Sequence, residues 1–344
     1  MGEELVTADQ LEERMDLGLL NYWYPVLPSW SVSETPIGIT RLGQKIALWR
    51  DKDGVIHAIE DRCPHRGARL SLGWNVGDRL ACWYHGVQVD GKGNVVEVPA
   101  EKNCPMVGEA CVTGYSVKEV RGAVFLYFGD ELNQEPVDIG LPEELTDDEE
   151  YGSFLCMAKW KVNHRYAVEN VMDPMHGAYL HGESHSMAAG DKSAEMHITK
   201  TELGLIFEKV GQKGVNFDWT ELRETGVQAL RLAIPYGPEA GPGGAFTIVG
   251  MCTPVDREHC LVFFWRVRQI SGWKRDLWRF MYRNSLEKKH WDVLEQDRLL
   301  LENLVEDARD QEFLYTHDMG LVRWRRLLQK KAKAQLQAVA EAKA

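Results

Sequence analysis

At 344 residues the chain has room for two domains, and 44% hydrophobic with 10% aromatic residues supply a sizeable core. A formal net charge of −12 makes it a poor partner for nucleic acid or an anionic membrane surface. No stretch approaches the apolar length of a transmembrane helix, and the N-terminal MGEELVTADQLEERMDLG lacks the regions of a signal peptide. A soluble cytoplasmic protein without nucleic-acid or membrane partners is expected.

Residues 9–18 read as a short amphipathic helix. From 37 to 128 the pattern is that of strands. IALWRDKDGVIHAIE is a hairpin around Asp53-Gly54, VQVDGKGNVVEV turns at Gly91 and Gly93, and YSVKEVRGAVFLYF turns at Arg121-Gly122. Residues 130–150 hold ten carboxylates and two prolines, which reads as a solvated linker. Domains at 1–148 and 149–344 are therefore expected, the first small and antiparallel. In the second, FLCMAKWKV reads as a strand and NHRYAVENVM as a helix. Further strands are expected at 197–210, 227–234, 245–253 and 259–268, a long helix over 274–310, and a basic closing helix from Val322. Strands with one long late helix make an α+β domain. No dinucleotide or Walker motif is visible.

Seven cysteines, an odd number, argue against a disulfide framework. Cys104, Cys111, Cys156, Cys252 and Cys260 read as small buried hydrophobes. Cys63 and Cys82 differ, because each stands close to a histidine: Cys63-Pro64-His65 and Cys82-Trp83-Tyr84-His85. Structural zinc sites pair like with like, C-x2–4-C and H-x3–5-H, and here each pair is mixed. A Rieske [2Fe–2S] centre explains the mixture, since two thiolates hold one iron and two imidazoles the other. Each of two facing loops must then donate one Cys and one His. Zinc is the competing reading.

Cys63-Pro64-His65-Arg66-Gly67 and Cys82-Trp83-Tyr84-His85-Gly86 resemble the paired motifs of the Rieske non-haem iron oxygenases. Val87 stands where many members have Trp, a change at a packing position that leaves the ligands intact. A cluster domain needs only part of this chain, and VENVMDPMHGAYLHGESH offers a second site. Asp173 before Pro174 reads as the cap of a new turn, with Asn170 nearby. His176 and His181 match the iron motif of the family, D-x-x-H-x4-H. His185 is the rival to His181. His164, His197, His259, His290 and His317 read as core or surface residues.

Non-haem Fe(II) oxygenases add one carboxylate to two histidines. In WDVLEQDRLLLENLVED, at about 100° per residue from Val293, the residues Leu294, Leu300, Leu301 and Leu304 fall at about 100, 340, 80 and 20°. Asp297 falls at about 40°, inside that apolar stripe, while Asp292, Glu295 and Glu302 face away. An acid on an apolar face needs a compensating charge, and Asp297 is the expected third ligand.

The resemblance implies an N-terminal antiparallel β Rieske domain and a C-terminal helix-grip catalytic domain, most similar to the phthalate-dioxygenase-like and carbazole-dioxygenase-like branch. It implies a [2Fe–2S] cluster held by Cys63, His65, Cys82 and His85, and a mononuclear Fe(II) held by His176, His181 and Asp297. It implies a terminal oxygenase fed by a reductase, with or without a ferredoxin. Such an enzyme takes O2 and a small, aromatic organic substrate, with dihydroxylation, hydroxylation or O/N-demethylation as outcomes. A homotrimer is implied, in which Asp173 bridges His176 to His85 of a neighbouring copy. An electron carrier without oxygenase activity and a zinc-binding structural protein are the alternatives.

Overall fold

The computed structural model describes residues 6–133, 135–184, 187, 190–236 and 245–343. His185 lies outside them. The chain forms two compact units, one of Leu20–Val137 with Thr253–Asp256, the other of residues through Leu19, Asp138–Cys252 and residues from Arg257 onward.

The division differs from the one expected at 148. The helix Ala8–Leu17, expected with the first domain, belongs to the second unit. Electrostatics explain this. Arg165 is buried and needs Glu12 and Asp16 from that helix, and His164 bonds the carbonyl of Met15 at 2.9 Å. The acidic stretch is not simply solvated either. Glu144 is buried in a short helix, Glu143–Thr146, and pairs with Arg231.

The unit beginning at Leu20 holds three small antiparallel sheets. The three expected hairpins form, at 44–50/56–60, 88–90/95–97 and 117–120/123–128. In the last, Arg121 and Gly122 have φ of 48° and 80°, the double positive φ of a type I′ turn. The strand Tyr22–Pro28 was not expected, because its two prolines and unbroken apolar run hide the alternation. It pairs with Ala123–Phe128 through a bulge between Pro25 and Leu27.

The other unit is built on a seven-stranded sheet. Strand Tyr151–Trp160 forms one edge beside Cys260–Gln269, followed by Ala245–Pro254, Gln228–Pro235, Trp219–Glu224, Gly204–Lys209 and Met196–Lys200. The stretch expected as one strand over 197–210 is a hairpin, and Trp219–Glu224 had no expectation at all. The helix His164–Met172 packs on three of these strands and on the helices Glu287–Leu301 and Met319–Lys343. It is buried nearly all round, so each of its polar residues needs a partner. Glu169, for example, binds Arg309 and Arg325.

The long helix expected over 274–310 is broken into Gly272–Met281 and Glu287–Leu301, joined by a π-helical turn at Tyr282–Leu286, and a separate short helix, Ala308–Gln311. Within the turn Tyr282 stacks on Phe154, ring centres 4.0 Å apart. Asn284 donates its side-chain amide to the carbonyl of Phe280 at 2.7 Å.

Candidate functional site

The two Cys/His loops have the same backbone design. The Cys63 N–H donates to the Ala68 carbonyl at 2.7 Å and the Gly67 N–H to the Cys63 carbonyl at 2.8 Å. The Cys82 N–H donates to Val87 and the Gly86 N–H to Cys82, both at 2.8 Å. Gly67 and Gly86 have φ of 74° and 75°, left-handed values that glycine adopts without strain. Each loop therefore turns back tightly and presents one thiol inward and one imidazole outward. Cys63 and Cys82 are buried in the core of the unit together with Val87, whereas His65 and His85 are exposed, their rings edge to face at 4.8 Å.

This donor set fits an asymmetric iron–sulfur cluster. Burial, and then the adjoining Cys82 thiol, push Cys63 up to about 11. A bound cation would reverse that balance at Cys63, because it binds a thiolate outright. Beside the imidazoles, Tyr84 packs on His85 at 3.9 Å and Trp83 is exposed.

In the other unit, His176, His181 and Asp297 each offer a ligand atom, and these atoms all lie within 4.8 Å of one another. Oδ1 of Asp297 stands 3.6 Å from His176 Nε2 and 3.2 Å from His181 Nε2. Two donors at right angles around one ion, each about 2.1 Å from it, stand about 3 Å apart, so the spacing suits a shared metal. Asp297 is 7% exposed and His181 1%.

Outer hydrogen bonds aim the imidazoles. His176 Nδ1 donates to the backbone carbonyl of Asp173 at 2.5 Å, and His181 Nδ1 donates to Gln296 Oε1 at 2.9 Å. With both Nδ1 atoms protonated, both Nε2 lone pairs face Asp297, the tautomer a metal ligand needs. Burial pulls His181 down, but Asp297 and Gln296 outweigh it and the net direction is up. Asn170 donates to Asp297 Oδ1 at 3.1 Å.

Asp173 departs from expectation in detail. Its backbone, not its carboxylate, bonds His176. Its Oδ1 accepts the Met175 N–H at 2.7 Å, and its Oδ2 lies 3.9 Å from His176 Nδ1. The side chain is 40% exposed and open to a further donor. The apolar stripe around Asp297 is also narrower than expected. Leu294 and Leu301 are buried, but Leu300 is exposed within the helix, and Leu304 is exposed beyond its end at Leu301. Asp292 and Glu295 face outward and pair with Lys288 and Arg298. Glu302 turns inward to accept the Lys161 N–H at 2.8 Å.

Sequence reasoning missed Gln296, whose only signal is its place beside Asp297. It also missed a cavity of about 360 Å³ whose wall includes Gln296, Tyr236, Phe246, Arg268, Trp278 and His290. Those side chains come from separate strands and helices, and no local pattern joins them.

Comparison with known proteins agrees with this arrangement. Residues 22–116 match the Rieske [2Fe-2S] domain, and residues 160–334 match the vanillate O-demethylase oxygenase C-terminal domain. The chain belongs to the Rieske non-haem iron oxygenases that carry this C-terminal domain. It is 30% identical over 164 residues to the vanillate O-demethylase oxygenase subunit of Pseudomonas sp. (strain HR199 / DSM 7063), covering 48% of this chain and 45% of that one. It is 30% identical over 210 residues to the chloroplastic protein TIC 55 of Arabidopsis thaliana, covering 58% and 38%. The chain thus spans less than half the length of these two relatives. Its fold matches the terminal oxygenase of carbazole 1,9a-dioxygenase from Novosphingobium sp. KA1, with TM-score 0.77, 24% identity and coverage of 93% and 94%. Among the described residues no helix is long and apolar enough to cross a membrane.

Proposed function

We propose that the chain is a terminal oxygenase component that oxygenates a small organic, aromatic substrate. The observation that carries this reading is the convergence of His176, His181 and Asp297, with Gln296, which bonds His181, lining a cavity large enough for such a molecule. An electron carrier has no use for the triad, and a zinc-binding structural protein has no use for the cavity. The groups these residues suit supply, when bound, one-electron transfer through the cluster and O2 activation at ferrous iron.

The side chains divide the work. Cys63 and Cys82, buried, would hold a cluster through thiolates, and His65 and His85, exposed, would hold it through imidazoles on the solvent side. His176, His181 and Asp297 would hold the mononuclear iron, three protein ligands that would leave positions for other ligands. Gln296, Asn170 and the Asp173 carbonyl fix the ligands' directions. The Asp173 carboxylate is free to accept an N–H from His85 of a neighbouring copy in a homotrimer. No nicotinamide or flavin motif is present in the chain, so a reductase, directly or through a ferredoxin, supplies the electrons. A cytoplasmic setting suits that supply. The relatives include both demethylases and dioxygenases, so the outcome is dihydroxylation, hydroxylation or O/N-demethylation.

Purified chain reconstituted with iron and sulfide, a surrogate reductase and NADH tests this. A panel of aromatic acids and ethers is offered, and oxygen uptake and products are followed. Substrate-dependent uptake that needs the reductase is expected. Uptake that is never coupled to an oxygenated product would refute the reading.

A further inference from the structure

The cavity that Gln296 lines holds a buried arginine that no carboxylate of its described wall pairs with. Arg268 lies on strand Cys260–Gln269 and is 4% exposed. Its guanidinium carbon sits 4.5 Å from the ring centre of Tyr236 and 5.8 Å from that of Trp278. Its Nε and Nη2 are buried without a hydrogen-bond partner, and among the described residues no carboxylate pairs with it. Two positions earlier, on the same face of the strand, Arg266 is buried as well. Only its Nη2 is engaged, with the His290 carbonyl at 3.3 Å, and its Nε and Nη1 have no partner.

Of the acids in the cavity wall, Asp292 binds Lys288, and Glu183 makes no ion pair with Arg268 among the described residues. Lys289 lines the same wall and adds a second positive charge. Burial lowers Arg268 to about 10, which leaves it charged at neutral pH.

A buried cation without a counter-ion is unfavourable. The faces of Tyr236 and Trp278 offset part of that cost, but they leave the in-plane N–H donors unused. What uses them is a planar or three-fold oxyanion that accepts two parallel hydrogen bonds. The same wall offers apolar ring surface, with the Tyr236 and Phe246 rings inclined by 29° and their centres 6.4 Å apart. Gln296, which accepts the His181 Nδ1–H, is part of the same wall.

We propose that Arg268 anchors the carboxylate or sulfonate of an anionic aromatic substrate, whose ring lies against Tyr236, Phe246 and Trp278. Arg268 is thereby the residue that separates anionic from neutral substrates. The word substrate rests on the oxygenase reading above, whereas the binding does not.

The test is equilibrium binding to the metal-loaded full chain, by calorimetry, of benzoate, benzenesulfonate and neutral benzamide. The anions are expected to bind at least tenfold more tightly than benzamide, and comparing the two anions shows which oxyanion the site prefers. Arg268→Gln should abolish the tenfold preference while leaving benzamide binding and the visible spectrum unchanged, and Arg268→Lys should keep part of it. Glu239, outside the described residues, provides a control: Glu239→Gln should leave the preference as it is. Equal affinity for benzoate and benzamide, no binding of either anion at millimolar concentration, or a preference that survives in Arg268→Gln overturns the proposal. So does a preference that emerges only in Glu239→Gln, because the chain then supplies its own counter-ion. If Arg268→Gln does not fold, the wild-type comparison of benzoate with benzamide decides. Oxygen consumption is not read, so a failure here is separable from a failure of the oxygenase reading.

Discussion

The side-chain amide of Asn170 donates to Oδ1 of Asp297 at 3.1 Å, and that same oxygen faces the Nε2 atoms of His176 and His181. A residue at the end of one buried helix therefore aims a carboxylate on another. Hydrogen bonds of this kind tune metal affinity by about 10–100-fold. Asn170→Ala is expected to weaken mononuclear iron binding by about that factor, measured by anaerobic Fe(II) titration, with the cluster spectrum unchanged. Unaltered iron affinity would remove Asn170 from the site.

The two glycines of the cluster loops make a paired test. Alanine at either must adopt a left-handed φ, which costs about 1–2 kcal/mol. At Gly67 nothing lies within 4 Å of the added methyl, whereas at Gly86 it meets Pro99 Cγ at 3.2 Å. Gly86→Ala should therefore lower the denaturation midpoint more than Gly67→Ala. A larger loss at Gly67 would contradict the loop geometry.

His164 gives the stability a pH dependence. It is buried, and that burial lowers it to about 4 even though Nε2 donates to the Met15 carbonyl. The unfolded chain takes up a proton near pH 6.5, which the folded chain refuses until about pH 4. The contribution is thus complete above pH 6.5 and lost as pH falls toward 4, by about 3 kcal/mol. His290, lowered by burial and then by Arg266 to about 3, acts in the same direction. Urea denaturation between pH 4 and 7.5 should give a steeper slope for the wild type than for His164→Gln. Identical slopes would contradict it.

The Asp173 carboxylate, 40% exposed, is the group we propose for a contact between copies. Asp173→Asn should retain both metals and the fold, yet lose most turnover. After subunit exchange, Cys82→Ser mixed with Asp297→Ala should recover some activity. Wild-type turnover in Asp173→Asn, or inert mixtures with exchange proven, would end the bridge between copies.

The Cys/His loops and the His176–His181 pair were legible as candidates because residue types able to hold a metal stand there at short spacing. Asp297 was legible because an acid on an apolar face stands out. The hairpins were legible from their turns, where Arg121-Gly122 and Asp53-Gly54 mark reversals. What was hidden depends on distant partners. The helix Ala8–Leu17 joins the second unit through partners far along the chain: Arg165 pairs with Glu12 and Asp16, His164 bonds the Met15 carbonyl, and the helix packs on Met319–Lys343. Strand Tyr22–Pro28 is buried without alternation, and the π-turn at Tyr282 interrupts a helical pattern that continues on both sides of it. The cavity wall, Arg268 included, exists only once the sheet has formed.

The most direct measurement is the metal content of wild type, Asp297→Ala and Glu295→Ala after identical reconstitution. The wild type should hold about three iron atoms per chain, two in the cluster and one at the triad. Asp297→Ala should hold about two, with the red-brown cluster spectrum intact and no oxygenation. Glu295, paired with Arg298 at the surface, should be dispensable for all three. Undiminished iron and turnover in Asp297→Ala, or zinc as the main metal of the wild type, would contradict the two-centre oxygenase.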